Sequence, residues 1–346
     1  MRNFLFIILL IGFLTTPAAA LELEAPTVPD SGAGYMPDGN GSFGEGLFQL
    51  VQNVIKNIRP DIQEALSVCL SVTSVVVIIS VIQTFDGTVK YVADYAGTIA
   101  VAAALFFSTN SMIQLGAQTI SEISEYGKLL FPVMTAAMAA QGGLASSAAI
   151  YTGTTIFSAV LSALVSKLFL PMVYLFLALS SANSAIGDDL FKNLRDLLKQ
   201  LISWSLKTLL TIFTTYISIT GVVSGTTDAA TLKATKVTIS SFVPVVGSIL
   251  SDASEAVLVS IGLAKNAAGI YGIFAILALF LEPFMRIGLH YLLLKTVCGI
   301  CGILGPKRIC DLIGDFSTAM GLLLAMTGTV CTLLLIATVC FMKGVG

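Results

Sequence analysis

The stretch from Leu129 to Ser166 contains no charged residue from end to end. A water-soluble fold has no place for such a run, because its helices keep a wet face toward solvent. As one straight helix it would extend roughly 57 Å, against a bilayer hydrocarbon core of about 30 Å. The run therefore enters a membrane and must break inside it. Gln141-Gly142-Gly143 is the place where the backbone is free enough to do so. Either two spans meet there, or a re-entrant half-helix precedes one full span.

Other charge-free runs say the same. Leu66–Phe85, Tyr95–Ser121, Leu168–Gly187, Thr208–Thr227 and Phe316–Met342 are each long enough to cross. Only 11% of the 346 residues are charged, where a soluble domain has about a quarter. The fold class is an all-α, polytopic integral membrane protein with about seven or eight transmembrane helices. Asn266–Leu281 is the short one, as its charge-free run falls below the length of a full span. Two broken half-segments, or one helix extended through a snorkelling Lys265, account for it.

The N-terminal part of the chain differs in character. Met1–Ala20 reads as a secretory signal, with Arg2, an apolar run from Phe4 to Leu14, and Pro17-Ala18-Ala19-Ala20 as a cleavage site. An uncleaved anchor is the alternative. Residues 21–46 hold Pro26, Pro29, Pro37 and a series of glycines from Gly32 to Gly46, which predicts a flexible linker. Residues 47–64 predict an amphipathic helix, with Leu47, Leu50, Val51, Val54 and Ile58 on one face. Such a helix lies on the membrane lipid, docks a partner, or packs on the protein's own outer face. Residues 65–346 form the polytopic domain. Within it, Asp188–Lys207 carries Leu190, Leu194, Leu197, Leu198 and Leu201 on one face. Lys192, Arg195, Lys199 and Lys207 line the others, which points to the cytoplasmic side.

Pro132 and Pro171 have the same separation along the chain as Pro244 and Pro283. Each pair brackets a break and an apolar helix, which defines candidate repeats 129–227 and 241–335. Repeated membrane folds often bind ligands where broken helices of the two halves meet. The expected helix breaks are Pro132, Gly142, Gly143, Pro171, Pro244 and Pro283. Thr154, Ser158, Ser162 and Ser166 recur at every fourth position. This stripe serves either close helix packing or a water-lined passage.

The strongest chemical signal is a set of charges in an apolar setting: Asp252, Glu255, Lys265, Glu282, Arg286 and the single histidine, His290. Glu282, Arg286 and His290 are spaced to share one helical face. A charge at mid-bilayer costs roughly 2.5 to 3.5 kcal/mol, so these residues pair, face water, or lie at the interface. Asp252 and Glu255 are candidates to pair with Lys265 or Arg286.

Several function classes are excluded or weakened. There is no Gly-x-x-x-x-Gly-Lys-[Ser/Thr] loop, no His-Glu-x-x-His, and no Ser/His/Asp set on an elbow. One histidine cannot build a multi-histidine metal site. Cys69, Cys298, Cys301, Cys310, Cys331 and Cys340 sit in or beside apolar segments, where cysteine acts as a small hydrophobe. A zinc site would need His290, Cys298, Cys301 and Cys310 to converge. No metal, cofactor or catalytic residue is expected, and no basic block points to nucleic acid.

Phe242-Val243-Pro244-Val245-Val246-Gly247-Ser248 with Ser251-Asp252-Ala253-Ser254-Glu255 resembles the signature of the stage III sporulation protein AE family. Lys265, Gly269 and Gly272, the Glu282-Pro283 pair, and Leu130-Phe131-Pro132-Val133-Met134 followed by Gly142-Gly143 carry the same resemblance. It extends from about Leu47 to the C-terminus. The resemblance implies a membrane subunit of an assembly linking mother cell and forespore, in the mother-cell membrane that surrounds the forespore. The implied partners are a secretion-type ATPase, ring-forming membrane proteins and a forespore-side protein. No catalytic residues come with the family. A transporter-like permease, with a solute or ion site around Pro244–His290, is the alternative reading, and an intramembrane enzyme a distant one.

Overall fold

The long apolar runs become long helices. The computed structural model describes residues 25–38, 42–82, 88–186, 191–242 and 247–343, and the regular elements among them are helical. In order they are a single turn α1 (Asp30–Ala33), α2 (Phe43–Asn57), α3 (Arg59–Ile82), α4 (Thr88–Ala140) and α5 (Leu144–Leu164), then α6 (Leu170–Ile186), α7 (Lys192–Phe242), α8 (Gly247–Leu304) and α9 (Lys307–Lys343). This is the expected all-α polytopic architecture.

Among the described residues five segments are long and apolar enough to cross a membrane: Ala65–Ile82, Tyr95–Ala140, Leu144–Ile186, Lys265–Ile303 and Lys307–Lys343. The charge-free runs of the sequence are more numerous, because several of them merge into one rod. Charges that look like boundaries in the sequence do not end helices here. The α4 helix runs on through Glu122, Glu125 and Lys128, and α8 through Glu282 and Arg286. A charge needs only one wet or paired side, while the backbone ladder and the apolar faces continue past it. The Thr208–Thr227 run lies within α7. Four of the five segments have 37 residues or more, well above the roughly 20 needed to span, so these rods tilt or project beyond the bilayer.

The prolines behave differently from the glycines. Gly142 adopts φ 94° after α4, Gly143 N–H donates to Met138 O (3.1 Å) and Gly142 N–H to Ala139 O (2.9 Å). That is a Schellman termination, and it breaks the long charge-free run where the sequence permits it. Pro132 and Pro283, expected as breaks, lie inside α4 and α8 instead. Helices packed on neighbours absorb the lost N–H bond and the ring clash. Pro171 is not a break either. A π-helical turn, Val165–Phe169, precedes it, with Leu170 N–H donating to Val165 O. The widened turn makes room for the proline ring, so α5 and α6 form one rod. Pro244 lies outside the described residues. Gly142 breaks the chain between Pro132 and Pro171, while α8 is unbroken from Gly247 through Pro283.

The core is the seam of α4, α8 and α9. Gly116 of α4 faces Ile287, Leu323 and Thr327, Gly127 faces Leu334, and Leu130 lies against Gly272 of α8. The α4 and α9 helices therefore run parallel, and α8 runs antiparallel to both. Gly127 has a structural reason: a Cβ there would stand 2.4 Å from Leu334 Cδ2. Met134, Ile287, Phe316, Met320 and Leu323 are fully buried in this seam.

The expected flexible linker is ordered where it is described. Residues 25–38 lie as a strap across α4 and α8. Gly32 is buried against Leu279, Tyr126 Oη–H donates to Pro26 O (3.4 Å), and Ser31 Oγ–H donates to Glu122 Oε2 (2.6 Å). A segment too polar to form its own core can still lie on an apolar face that is already built. The amphipathic α2 takes the self-packing option. Leu50 and Val54 are fully buried against Phe274 and Ala278, and a Ser42–Glu45 capping box starts the helix. The expected secretory signal, residues 1–20, lies outside the described residues.

Candidate functional site

The α8 helix fixes which of the expected charges can meet. On a continuous helix, Glu255 is roughly 15 Å from Lys265 and Asp252 roughly 51 Å from Arg286 along the axis. The expected pairing of Asp252 or Glu255 with Arg286 is therefore not what the fold provides. Both acids lie on helical backbone, with side chains outside the described residues. Lys265 is buried, at 4% exposure, and sits roughly 25 Å from Glu282.

Glu282, Arg286 and His290 do come together, as one ladder. Arg286 Nη1 donates to Glu282 Oε1 at 3.2 Å, with side-chain exposures of 29% and 16%. The Glu-to-Arg order at i, i+4 is the favourable one along a helix. His290 Nδ1 lies 3.2 Å from Arg286 O, and His290 Nε2 lies 3.0 Å from Ser108 Oγ of α4. A carbonyl only accepts, so Nδ1 carries the proton in the neutral ring and Nε2 accepts from the Ser108 hydroxyl. A doubly protonated ring keeps both contacts, since Nε2–H then donates to the same oxygen. On the other side of α4, Tyr174 Oη–H donates to Asn110 Oδ1 at 2.8 Å. Polar groups thus thread from α8 through α4 toward α6, in a setting where each such contact replaces water.

A second polar centre lies nearer the α8–α9 turn, and sequence reasoning missed it. Arg195 of α7 forms an ion pair with Asp315 of α9, and Ser180 of α6 donates to the same carboxylate. Arg195 is only 9% exposed, and its Nε is buried with no hydrogen-bond partner. Asn183 and Ser184 are buried beside it along α6, and Asn183 Oδ1 accepts from Phe191 N–H at 3.4 Å. Three helices are tied at one carboxylate. The available signal was periodicity: Arg195, Leu198, Ile202 and Leu206 fall at i, i+3, i+7 and i+11, and all are buried. Leu194, Leu197 and Leu201, expected on one face with Leu198, are exposed.

The hydroxyl stripe divides along its length. Thr154 is fully buried, Ser158 and Ser162 are half-buried, and Ser166 is exposed. Thr154 follows Gly153, which lies against the Tyr216 ring of α7, and Tyr216 Oη–H donates to Ala149 O at 2.9 Å. Close helix approach is thus the local geometry at the buried end. Among the described residues no group of three His, Cys, Asp or Glu side chains could hold a metal. The four residues of the zinc reading do not converge: His290 is engaged with Ser108 and Arg286, and Cys298 Sγ–H points to Cys310 O at 3.4 Å. All six cysteines are free thiols.

The model of the stage III sporulation protein AE family matches residues 36–345. A curated relative, stage III sporulation protein AE of Bacillus subtilis (strain 168), is 26% identical over 175 residues. That match covers 51% of this chain and 44% of the relative, so the chain spans less than half of the relative's length. No solved structure matches the chain. The family match covers both polar centres, the α4/α8/α9 seam, α2 and the end of the strap; the chain belongs to the stage III sporulation protein AE family.

Proposed function

We propose that this protein is a non-catalytic membrane subunit of a secretion-like channel complex, set in the mother-cell membrane around the forespore and required for endospore development. The observation that carries this reading is the length of its apolar rods, 37 to 46 residues in four of five cases, packed into one bundle. A bilayer needs about 20 residues per helix. The surplus gives helical surface beyond the hydrocarbon, which suits a part that must join other proteins on both sides. Energy in this reading comes from a partner ATPase, and ring-forming membrane proteins continue the passage. The test is recovery of the tagged, cross-linked full chain from sporulating cells. Co-recovery of a secretion-type ATPase or a ring-forming component supports the proposal, and recovery without either refutes it.

A second reading, a permease for a small solute or ion, is favoured by one observation. The Glu282–Arg286–His290 ladder reaches Ser108 across α8 and α4 in an apolar segment. It requires that Arg286→Gln abolish sporulation while protein level and partner recovery stay normal. If that variant disappears from the membrane or loses its partners, the charges are structural and the permease reading fails.

A further inference from the structure

A half-enclosed cavity of about 500 Å³ opens between the strap, α2 and the Ala267–Phe274 part of α8. Its floor is apolar and aromatic. Phe43 and Phe274 lie with ring centroids 5.1 Å apart, and Gly46 lets α2 sit directly on the Phe274 ring. Ile270 and Tyr271 form the opposite wall and remain 38% exposed each, with Phe43 at 48%. Unlike most apolar surface on this molecule, this patch is concave and rimmed by polar groups. The rim carries Asp38, Ser42 and Gln49, and Asp38 N–H donates to Gln49 Oε1 at 3.3 Å, which ties the strap to α2. Glu45 stands next to this rim, exposed, with its carboxylate capping Ser42 N–H at 2.7 Å.

Two arguments decide what fits. Exposed carboxylates are too costly for hydrocarbon, so the mouth stands in water or at the headgroup level. The α8 helix, 58 residues or roughly 87 Å from Gly247 to Leu304, far exceeds a core of about 30 Å, so the part around Ala267 has length to spare for projecting beyond it. The rim is then acidic around an apolar pocket. Among the described lining elements the nearest bases are Lys265, which is buried, and Lys56, at the far end of α2. An aromatic-lined pocket inside a charged rim is the layout of a protein-interface anchor site, and the rim charge selects the partner's flanks.

We propose that this pocket docks a peptide segment of a partner protein that presents a bulky apolar side chain between lysines or arginines. The site is separate from both polar centres, and it stands whether or not the partner belongs to a channel. The test uses the purified full chain in lipid nanodiscs and three fluorescein-labelled hexapeptides. One has Phe-Leu between pairs of lysines, one has Phe-Leu between pairs of glutamates, and one has Ser-Gly between pairs of lysines. Fluorescence anisotropy should show the first binding at least about tenfold tighter than either other, a difference of about 1.4 kcal/mol. Ala267→Trp, placed at the exposed pocket wall, should remove that binding while the melting temperature holds. Should that variant prove unstable, Asp38→Lys, confined to the rim, should erase the preference for lysine over glutamate flanks. Equal binding of the three peptides, or binding unchanged by both variants, overturns the proposal. Displacement of the bound peptide by a lysophosphatidylcholine would assign the cavity to lipid and overturn it equally.

Discussion

The Arg195–Asp315 pair offers the sharpest test of how the bundle is held. Arg195→Met removes the guanidinium and leaves Asp315 with only the Ser180 hydroxyl. Asp315→Leu does the reverse and strands a cation that is 9% exposed. Breaking a buried pair from one side typically costs about 3 to 5 kcal/mol, because an uncompensated charge remains out of water. Asp315 keeps 22% side-chain exposure, so its stranding belongs at the low end, about 3 kcal/mol. Stranding Arg195 should cost more than that. The double variant, Arg195→Met with Asp315→Leu, removes both charges and replaces them with apolar volume, and it should lie within about 1 kcal/mol of the parent.

The measurement is the temperature at which half of a fluorescent-protein fusion remains monodisperse in detergent. With roughly 2.1 cal/mol/K of unfolding entropy per residue over 346 residues, the shift is about 1.4 °C per kcal/mol, so each single change should lower it by roughly 4 °C or more. The double change should recover most of the loss. A double variant as unstable as the worse single one would refute the idea that charge pairing, rather than side-chain shape, matters here. Single variants that melt with the parent would refute burial of the pair. Sporulation of the same strains adds a separate outcome: a stable double variant that sporulates shows the pair to be structural. One that is stable yet fails to sporulate shows that the charges have work beyond holding α7 to α9.

Trp204 is the single tryptophan and is 62% exposed on the outer stripe of α7 with Leu197, Leu201 and Ile212, so acyl-chain-brominated lipid should quench its fluorescence; quenching by aqueous acrylamide alone would place that stripe in water. Gly127→Ala should destabilise by about 1 to 3 kcal/mol through overpacking against Leu334, whereas Gly328→Ala, which meets nothing within 4 Å, should gain about 0.5 to 1 kcal/mol of helix propensity. Thermal denaturation of the pair reads the sign, and equal shifts would contradict the close α4–α9 approach. Ser42→Ala removes the cap of α2, and faster hydrogen exchange at Phe43–Gly46, by a factor of about five for about 1 kcal/mol, should follow.

What the sequence made legible was what depends on composition and local backbone freedom. The apolar runs announced membrane helices, Gly142 announced the one break it could make without strain, and Leu50 and Val54 announced the buried face of α2. Span boundaries were not legible, because Glu122, Glu125, Lys128, Glu282 and Arg286 interrupt hydropathy without interrupting the backbone ladder. Prolines misled for a related reason: the penalty at Pro132 and Pro283 is local, while the packing that outweighs it comes from helices distant in sequence. At the ladder, the spacing of Glu282, Arg286 and His290 gave the shared face, but Ser108, 182 positions before His290, carries no sequence mark. The Arg195–Asp315 pair was hidden by a choice of stripe. Leu194, Leu197 and Leu201 make an equally regular apolar row, and only the fold shows that this row faces outward.

The polar contacts follow a pattern that apolar packing alone does not explain. Inside a bilayer, apolar faces gain little by meeting each other rather than lipid, so they fix register weakly. Several peripheral elements of this bundle are instead tied to a neighbour by a polar contact at one level. Ser31 ties the strap to α4 at Glu122, Tyr174 ties α6 to α4 at Asn110, and Tyr216 ties α7 to α5 at Ala149 O. Ser180 and Arg195 tie α6 and α7 to α9 at Asp315. Within the central three helices, His290 ties α8 to α4, while Ser317 Oγ–H donates to Tyr291 O between α9 and α8 at 3.3 Å. The seam of α4, α8 and α9 adds close glycine contacts to these ties, and the periphery relies on them more heavily. Any working motion of this protein is therefore cheapest where an outer helix releases one such contact, and Asp315, which holds two outer helices at once, is where that release would be felt most widely.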